Sequence, residues 1–169
     1  MNALAAVVLM TFPVAMAFAA ANDLFTMRIP NKISLALIAA FVVAALLTEM
    51  PLSTFGVHVG LALCILAITF VLFSLNLLGG GDAKLMAAGA LWLDGTEHAI
   101  QYVANITIWG GVLAVIILGY RNFVPATNGF PSWAQRLHRT GGPIPYGIAI
   151  AAAGLVVFPA TELFRTLLV

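Results

Sequence analysis

Two aspartates, Asp23 and Asp82, are the residues of this sequence best placed to do chemistry. Each stands at the edge of a long apolar run. Asp23 closes the first run, and Asp82 follows Gly79-Gly80-Gly81 directly and opens a short one. Carboxylates at membrane depth are costly and tend to mark function. Two of them at one depth form a dyad, in which like-charge repulsion leaves one proton shared between two carboxyls. One member of such a pair can take a proton from water while the other supplies one to the group being broken, which is the chemistry of an aspartyl peptidase. The other acids, Glu49, Asp94, Glu97 and Glu162, fall in the opposite connections or in the last run and read as solvated or interfacial groups. Cys64 is the single cysteine, and His58, His98 and His138 are scattered. No internal disulfide, zinc cluster or metal site is therefore expected.

The elements that must position the aspartates follow from composition. Of 169 residues, 63% are hydrophobic and 8% charged, against about 25% charged in ordinary soluble domains. That excludes a water-soluble fold and disorder. A net charge of +1 without a basic run excludes a nucleic-acid surface. Apolar runs between punctuation give six segments, at about 3–21, 33–47, 55–78, 83–93, 99–120 and 144–168. Lipid tolerates only internally bonded backbone, and the alternation of a barrel strand is missing, so all six read as helices. Ala17-Phe18-Ala19 and Ala19-Ala20-Ala21 imitate signal-peptide cleavage sites, but Met1-Asn2-Ala3 lacks the positive start of such peptides, so the first run is expected to stay as a span.

Charge orients the segments. Arg28, Lys32, Lys84, Arg121, Arg136 and Arg139 follow the odd-numbered segments, and only Arg165 does not. The positive-inside rule makes their side cytoplasmic. The expected architecture is an all-α membrane bundle of six transmembrane helices, one unit over residues 1–169, with both termini outside the cytoplasm. Asp23 and Asp82 then share the cytoplasmic face. The fourth segment spans only about 18 Å from Asp82 to Leu93 at ~1.5 Å per residue, whereas a bilayer core is ~30 Å thick. Either the membrane thins there or Asp82 sits in a wet recess. In the long 121–142 connection, Ser132 to Arg139 reads either as a plain solvated loop or as two helical turns with Trp133 and Leu137 on one face, as in an interfacial helix.

At this point three motifs in order resemble the type IV prepilin peptidases, which are G-x-G-D intramembrane aspartyl proteases. The stretch from Asp23 to Asn31 looks like their first aspartate motif. Gly79-Gly80-Gly81-Asp82-Ala83-Lys84-Leu85 looks like their G-x-G-D motif with its K-L pair, and Pro143-Ile144-Pro145-Tyr146-Gly147 like the P-Y-G element that opens their last helix. The resemblance implies an endopeptidase of the bacterial inner membrane. It would remove the leader of a prepilin or pseudopilin at the cytoplasmic face, after a glycine that precedes the substrate's hydrophobic helix. Asp23 and Asp82 would be the catalytic pair. Partners would be the substrate, lipid and the pilus assembly machinery, with no nucleic acid and no cofactor. Longer members carry a cysteine tetrad and N-methylate the product. Here the first connection is short and Cys64 stands alone, so the chain looks like the short form serving Flp-type tight-adherence pili, without methyl transfer.

Other residues take supporting roles in this reading. Gly79, Gly80 and Gly81 admit the extended scissile segment or serve helix packing. Lys84 and Arg28 attract acidic substrate positions or anchor the topology. Pro30-Asn31 shapes the start of the second helix, with Asn31 as a candidate cap. Pro145, Tyr146 and Gly147 bring a hydroxyl near the dyad or an interfacial anchor. Asp82 opens a helix and Asp23 closes one, so the macrodipole favours charge on Asp82. A small proton-coupled transporter or channel component is the rival from another class. It should show polar groups near the midplane and repeat halves with interrupted helices.

Overall fold

In a computed structural model, the chain is described over residues 3–125, 129–139 and 141–168. Met1 and Asn2, on which the expectation of an uncleaved first span rests, lie outside the described residues, as do parts of the 121–142 connection. Among the described residues all regular structure is helical: α1 Ala3–Thr26, α2 Asn31–Leu47, α3 Leu52–Ser74, α4 Gly80–Ala90, α5 Gly95–Phe123, α6 Ser132–Leu137, α7 Gly147–Val157 and α8 Glu162–Leu168. Three of them, α1, α3 and α5, are long and apolar enough to cross a membrane. The pair α7–α8 qualifies as a fourth crossing, bent by 65°.

Two boundaries differ from the sequence reading for physical reasons. Helix α1 does not stop at Asn22-Asp23 but runs on to Thr26. Asn22 donates its side-chain amide to the Phe18 carbonyl, and Thr26 its hydroxyl to that of Asn22. The polar residues thus satisfy themselves on their own helix instead of breaking it, and the turn comes at Met27, at φ 54. The last apolar run is not one helix either. Pro159 sits in a single 3-10 turn, Phe158–Ala160, that separates α7 from α8, because its ring cannot continue the α-helical ladder.

The two short helices α4 and α7 form the interior. Every residue of α4 from Leu85 to Ala90 is buried, as are most of α7. Helix α4 packs against α2, α3 and α7, while α7 packs against α1, α4 and α5. Both begin at the same end of the bundle, the end carrying Asp23 and Asp82. At the other end an aromatic core closes the molecule. Trp92 is fully buried between Phe12, Phe41 and Phe158, at centroid distances of 5.4, 6.2 and 5.7 Å. Its indole donates to the Leu37 carbonyl of α2.

The short α6 is strapped across the end of α1. Trp133 packs edge-on against Phe25, and the Arg136 guanidinium donates to the Phe25 carbonyl. Arg121 ties the segment back to α5 by donating to the carbonyls of Leu137 and Gly142, at 2.6 and 3.0 Å.

Candidate active site

Asp23 lies one turn before the end of α1 and is buried, at 6% exposure. Its Oδ2 accepts the backbone N–H of Gly147, the first residue of α7, at 2.7 Å. A carboxylate at a helix N-terminus meets a free donor and the positive end of the dipole. Only glycine permits this approach: a Cβ at position 147 would stand 2.9 Å from both Cβ and Oδ2 of Asp23.

Asp82 lies in the first turn of α4, whose N-cap is Gly79. Its carboxyl folds back over that cap, where the Gly79 backbone amide faces it. A Cβ on Gly79 would fall 2.6 Å from Asp82 Oδ2. Glycine at 81 lets the start of α4 lie against Ile29, where a Cβ would stand 3.1 Å from the isoleucine Cβ. The opposite oxygen of Asp82, Oδ1, is buried and has no hydrogen-bond partner among the described residues.

The structure brings the two aspartates to one cavity of about 520 Å³. Its remaining wall is Met27 to Asn31 from the α1–α2 turn, with Gly79, Gly80 and Gly81. Among the described residues neither aspartate has an ion-pair partner. Arg28 therefore edges the cavity without pairing to Asp23.

Other anticipated residues fall elsewhere. Lys84 does not line the dyad cavity and donates to Asn31 Oδ1 at 3.2 Å. Asn31 is consequently not a helix cap; Pro30 occupies the cap position of α2, with no side-chain bond. Tyr146 does not line the dyad cavity, and its ring lies over Gly110 of α5. The contribution of Pro145-Tyr146-Gly147 to the site is the Gly147 amide, a backbone group that no side-chain reading of the motif singles out. That amide also changes the electrostatics expected from sequence. Asp82 faces the N-terminus of α4 and Asp23 that of α7, so helix dipoles no longer separate the two acids. Among the described residues no group of three or more metal-ligating side chains is present.

A model of the type IV leader peptidase family matches residues 10–119, which includes both aspartates and stops short of Gly147. No curated protein and no solved structure matches the chain.

Proposed function

The chain belongs to the type IV leader peptidase family, and from that premise we propose that Asp23 and Asp82 are its catalytic dyad. The family makes it a membrane protease acting on prepilin-type substrates. The observation that carries the dyad is the shared cavity, in which a buried Asp82 oxygen lacks any partner among the described residues. A buried carboxylate oxygen needs a hydrogen-bond donor, and here a water molecule held between the two acids supplies one.

In the proposed reaction one carboxylate takes a proton from that water as the oxygen attacks the scissile carbonyl carbon. The partner carboxylic acid protonates the carbonyl oxygen. When the tetrahedral intermediate collapses, the C–N bond breaks, the proton first taken from water passes to the leaving amine, and one hydroxyl proton of the gem-diol returns to the second carboxylate as the carbonyl re-forms, so the pair ends with the one proton it began with. Gly147 holds Asp23 by its amide, and the glycines before Asp82 leave room for an extended peptide.

The proposal extends to the surroundings. The six apolar segments cross the bacterial inner membrane with both termini outside and the dyad at the cytoplasmic face. Clustering of Arg28, Lys32, Lys84, Arg121, Arg136 and Arg139 toward the dyad end supports that orientation. The substrates are Flp-type prepilins or pseudopilins, cleaved without methylation of the product, in keeping with the short α1–α2 turn and the lone Cys64.

The test is co-expression with an Flp-type prepilin, following the mobility shift and the new N-terminus by mass spectrometry. Wild type, Asp23→Asn and Asp82→Asn are compared at matched membrane levels. Cleavage after a glycine, lost in both variants, is expected. Cleavage that survives either substitution overturns the dyad.

A further inference from the structure

A second cavity, about 490 Å³ and almost wholly apolar, opens between α2, α3 and α4 and meets the dyad cavity at Asn31, which lines both. Helices α2 and α3 each pack on α4, and aromatic rings join them to each other at one end. There Phe41 stacks on Phe55 at 5.7 Å and touches His58 at 5.3 Å. The space is therefore a wedge, closed by aromatic rings at the far end and reaching the dyad end at Asn31 and Lys84.

We infer that this wedge is the docking groove for the apolar helix of the substrate, entered sideways from the lipid. The inference rests on the leader-peptidase reading above. Three features favour a peptide helix over acyl chains as the committed occupant. The floor is made of Ala62, Ala87 and Ala88, and small residues let a second helix backbone come close where apolar attraction alone gives no preference over lipid. From Asn31 to Val42 the groove runs about 16 Å along α2, at ~1.5 Å per residue, which accommodates three turns. Its dyad end is polar, with Lys84 bonded to Asn31, and beyond Asn31 lies the cavity with both aspartates. A chain seated in the wedge thus leaves helical form at the hydrogen-bonded Lys84–Asn31 pair and reaches Asp23 and Asp82 as extended backbone. The Phe41–Phe55 stack sets how far the substrate helix can sink, and so which peptide bond arrives at the dyad.

The experiment uses the full-length protein in liposomes. Two substrates are compared: an intact Flp-type prepilin, and the same prepilin cut back to a peptide that ends just after the scissile bond. Leu63→Trp fills the groove from a position 59% exposed, so the fold need not adjust; Val115→Trp makes the same change on the lipid face of α5, at 70% exposure. Leu63→Trp is expected to raise KM about tenfold for the intact prepilin and leave the truncated peptide unaffected, whereas Val115→Trp changes neither. In parallel, an Asp82→Asn, Cys64→Ser protein carrying Leu63→Cys should form a disulfide with a cysteine placed in the prepilin helix, and one carrying Val115→Cys should not. Equal cross-linking from both positions, or intact prepilin cleaved normally by Leu63→Trp, means that lipid alone fills the wedge and overturns the groove. Loss of both substrates in Leu63→Trp also overturns it, by placing the effect at the dyad or on folding. If wild type cleaves neither substrate, the leader-peptidase reading itself fails, and that outcome is distinguishable from all the others.

Discussion

The two ends of this bundle use the same device for different ends. At the dyad end Asp23 accepts the first amide of α7; at the far end Asp94 Oδ2 accepts the first amide of α8, from Glu162 at 3.0 Å. Each end even has a second acid in the same cavity, Asp82 beside Asp23 and Glu162 beside Asp94. The difference lies in what surrounds them. Asp94 has an imidazole 3.7 Å away in His98, and Glu162 is exposed to the outside. Asp23 and Asp82 have no cationic partner among the described residues and face each other across walls of glycine. Two acids near helix ends are thus not in themselves a catalytic signal. What sets Asp23 and Asp82 apart is the glycine around their carboxyls and, among the described residues, the absence of a basic side chain paired with either.

Neutralising each acid in turn separates the two ends most directly. Asp23→Asn and Asp82→Asn should each cut prepilin cleavage by about a thousandfold or more, the scale of losing a positioned acid or base. Membrane levels and thermal stability in detergent should stay near wild type. If single-turnover rates fall by only a few-fold in either variant, the two ends do not differ in kind.

A smaller effect is expected from crowding the carboxyls without changing them. Gly79→Ala and Gly147→Ala place a methyl group 2.6 and 2.9 Å from oxygens of Asp82 and Asp23. Forced overpacking of this kind costs about 1–3 kcal/mol, so activity should fall on the order of tenfold, mainly in kcat. Gly111→Ala meets nothing within 4 Å and should be silent. The triplet would prove a mere hinge if Gly79→Ala cleaved as fast as Gly111→Ala.

At the far end the expected response is in stability. Trp92→Phe keeps a ring among Phe12, Phe41 and Phe158 but leaves the buried Leu37 carbonyl without its indole donor. The cost is about 1–3 kcal/mol, read as a lower unfolding midpoint in detergent. The folded fraction should cleave with unchanged KM. A KM change at this distance would mean that the aromatic core, through Phe41, reaches the groove between α2 and α3.

The two aspartates were legible in the sequence and the groups that hold them were not. Asp23, Asp82 and the glycines stand out because polar or flexible residues at the edge of apolar runs are conspicuous, and the all-helical fold follows from hydropathy alone. Chain continuity through Asn22 and Asp23 was not visible, because it depends on side chains bonding back to their own helix. Nor was the break at Phe158–Ala160 anticipated, although Pro159 was the available signal. In the P-Y-G element the eye goes to the hydroxyl of Tyr146, whereas the group that meets Asp23 is the Gly147 amide; a buried acid opposite a glycine at a helix start is a tertiary fact. The same holds for Asn31 and Lys84, whose bond joins helices α2 and α4 that no local pattern brings together.

Asp94→Asn retains an oxygen to accept the Glu162 amide and loses only a charge near a helix start and near His98. Such contacts are worth about 0.3–1 kcal/mol at partly exposed positions, so stability should drop slightly and cleavage should be unchanged. Asp23→Asn is the same chemical edit at the same kind of site, because the new amide oxygen can still accept the Gly147 N–H. If helix-start acids are structural at both ends, the two variants will resemble each other in stability and in activity. If the dyad end is catalytic, they will match in stability and part by orders of magnitude in cleavage. An amide can hold the α7 amide in place, but it cannot take a proton from water and pass it to the leaving amine.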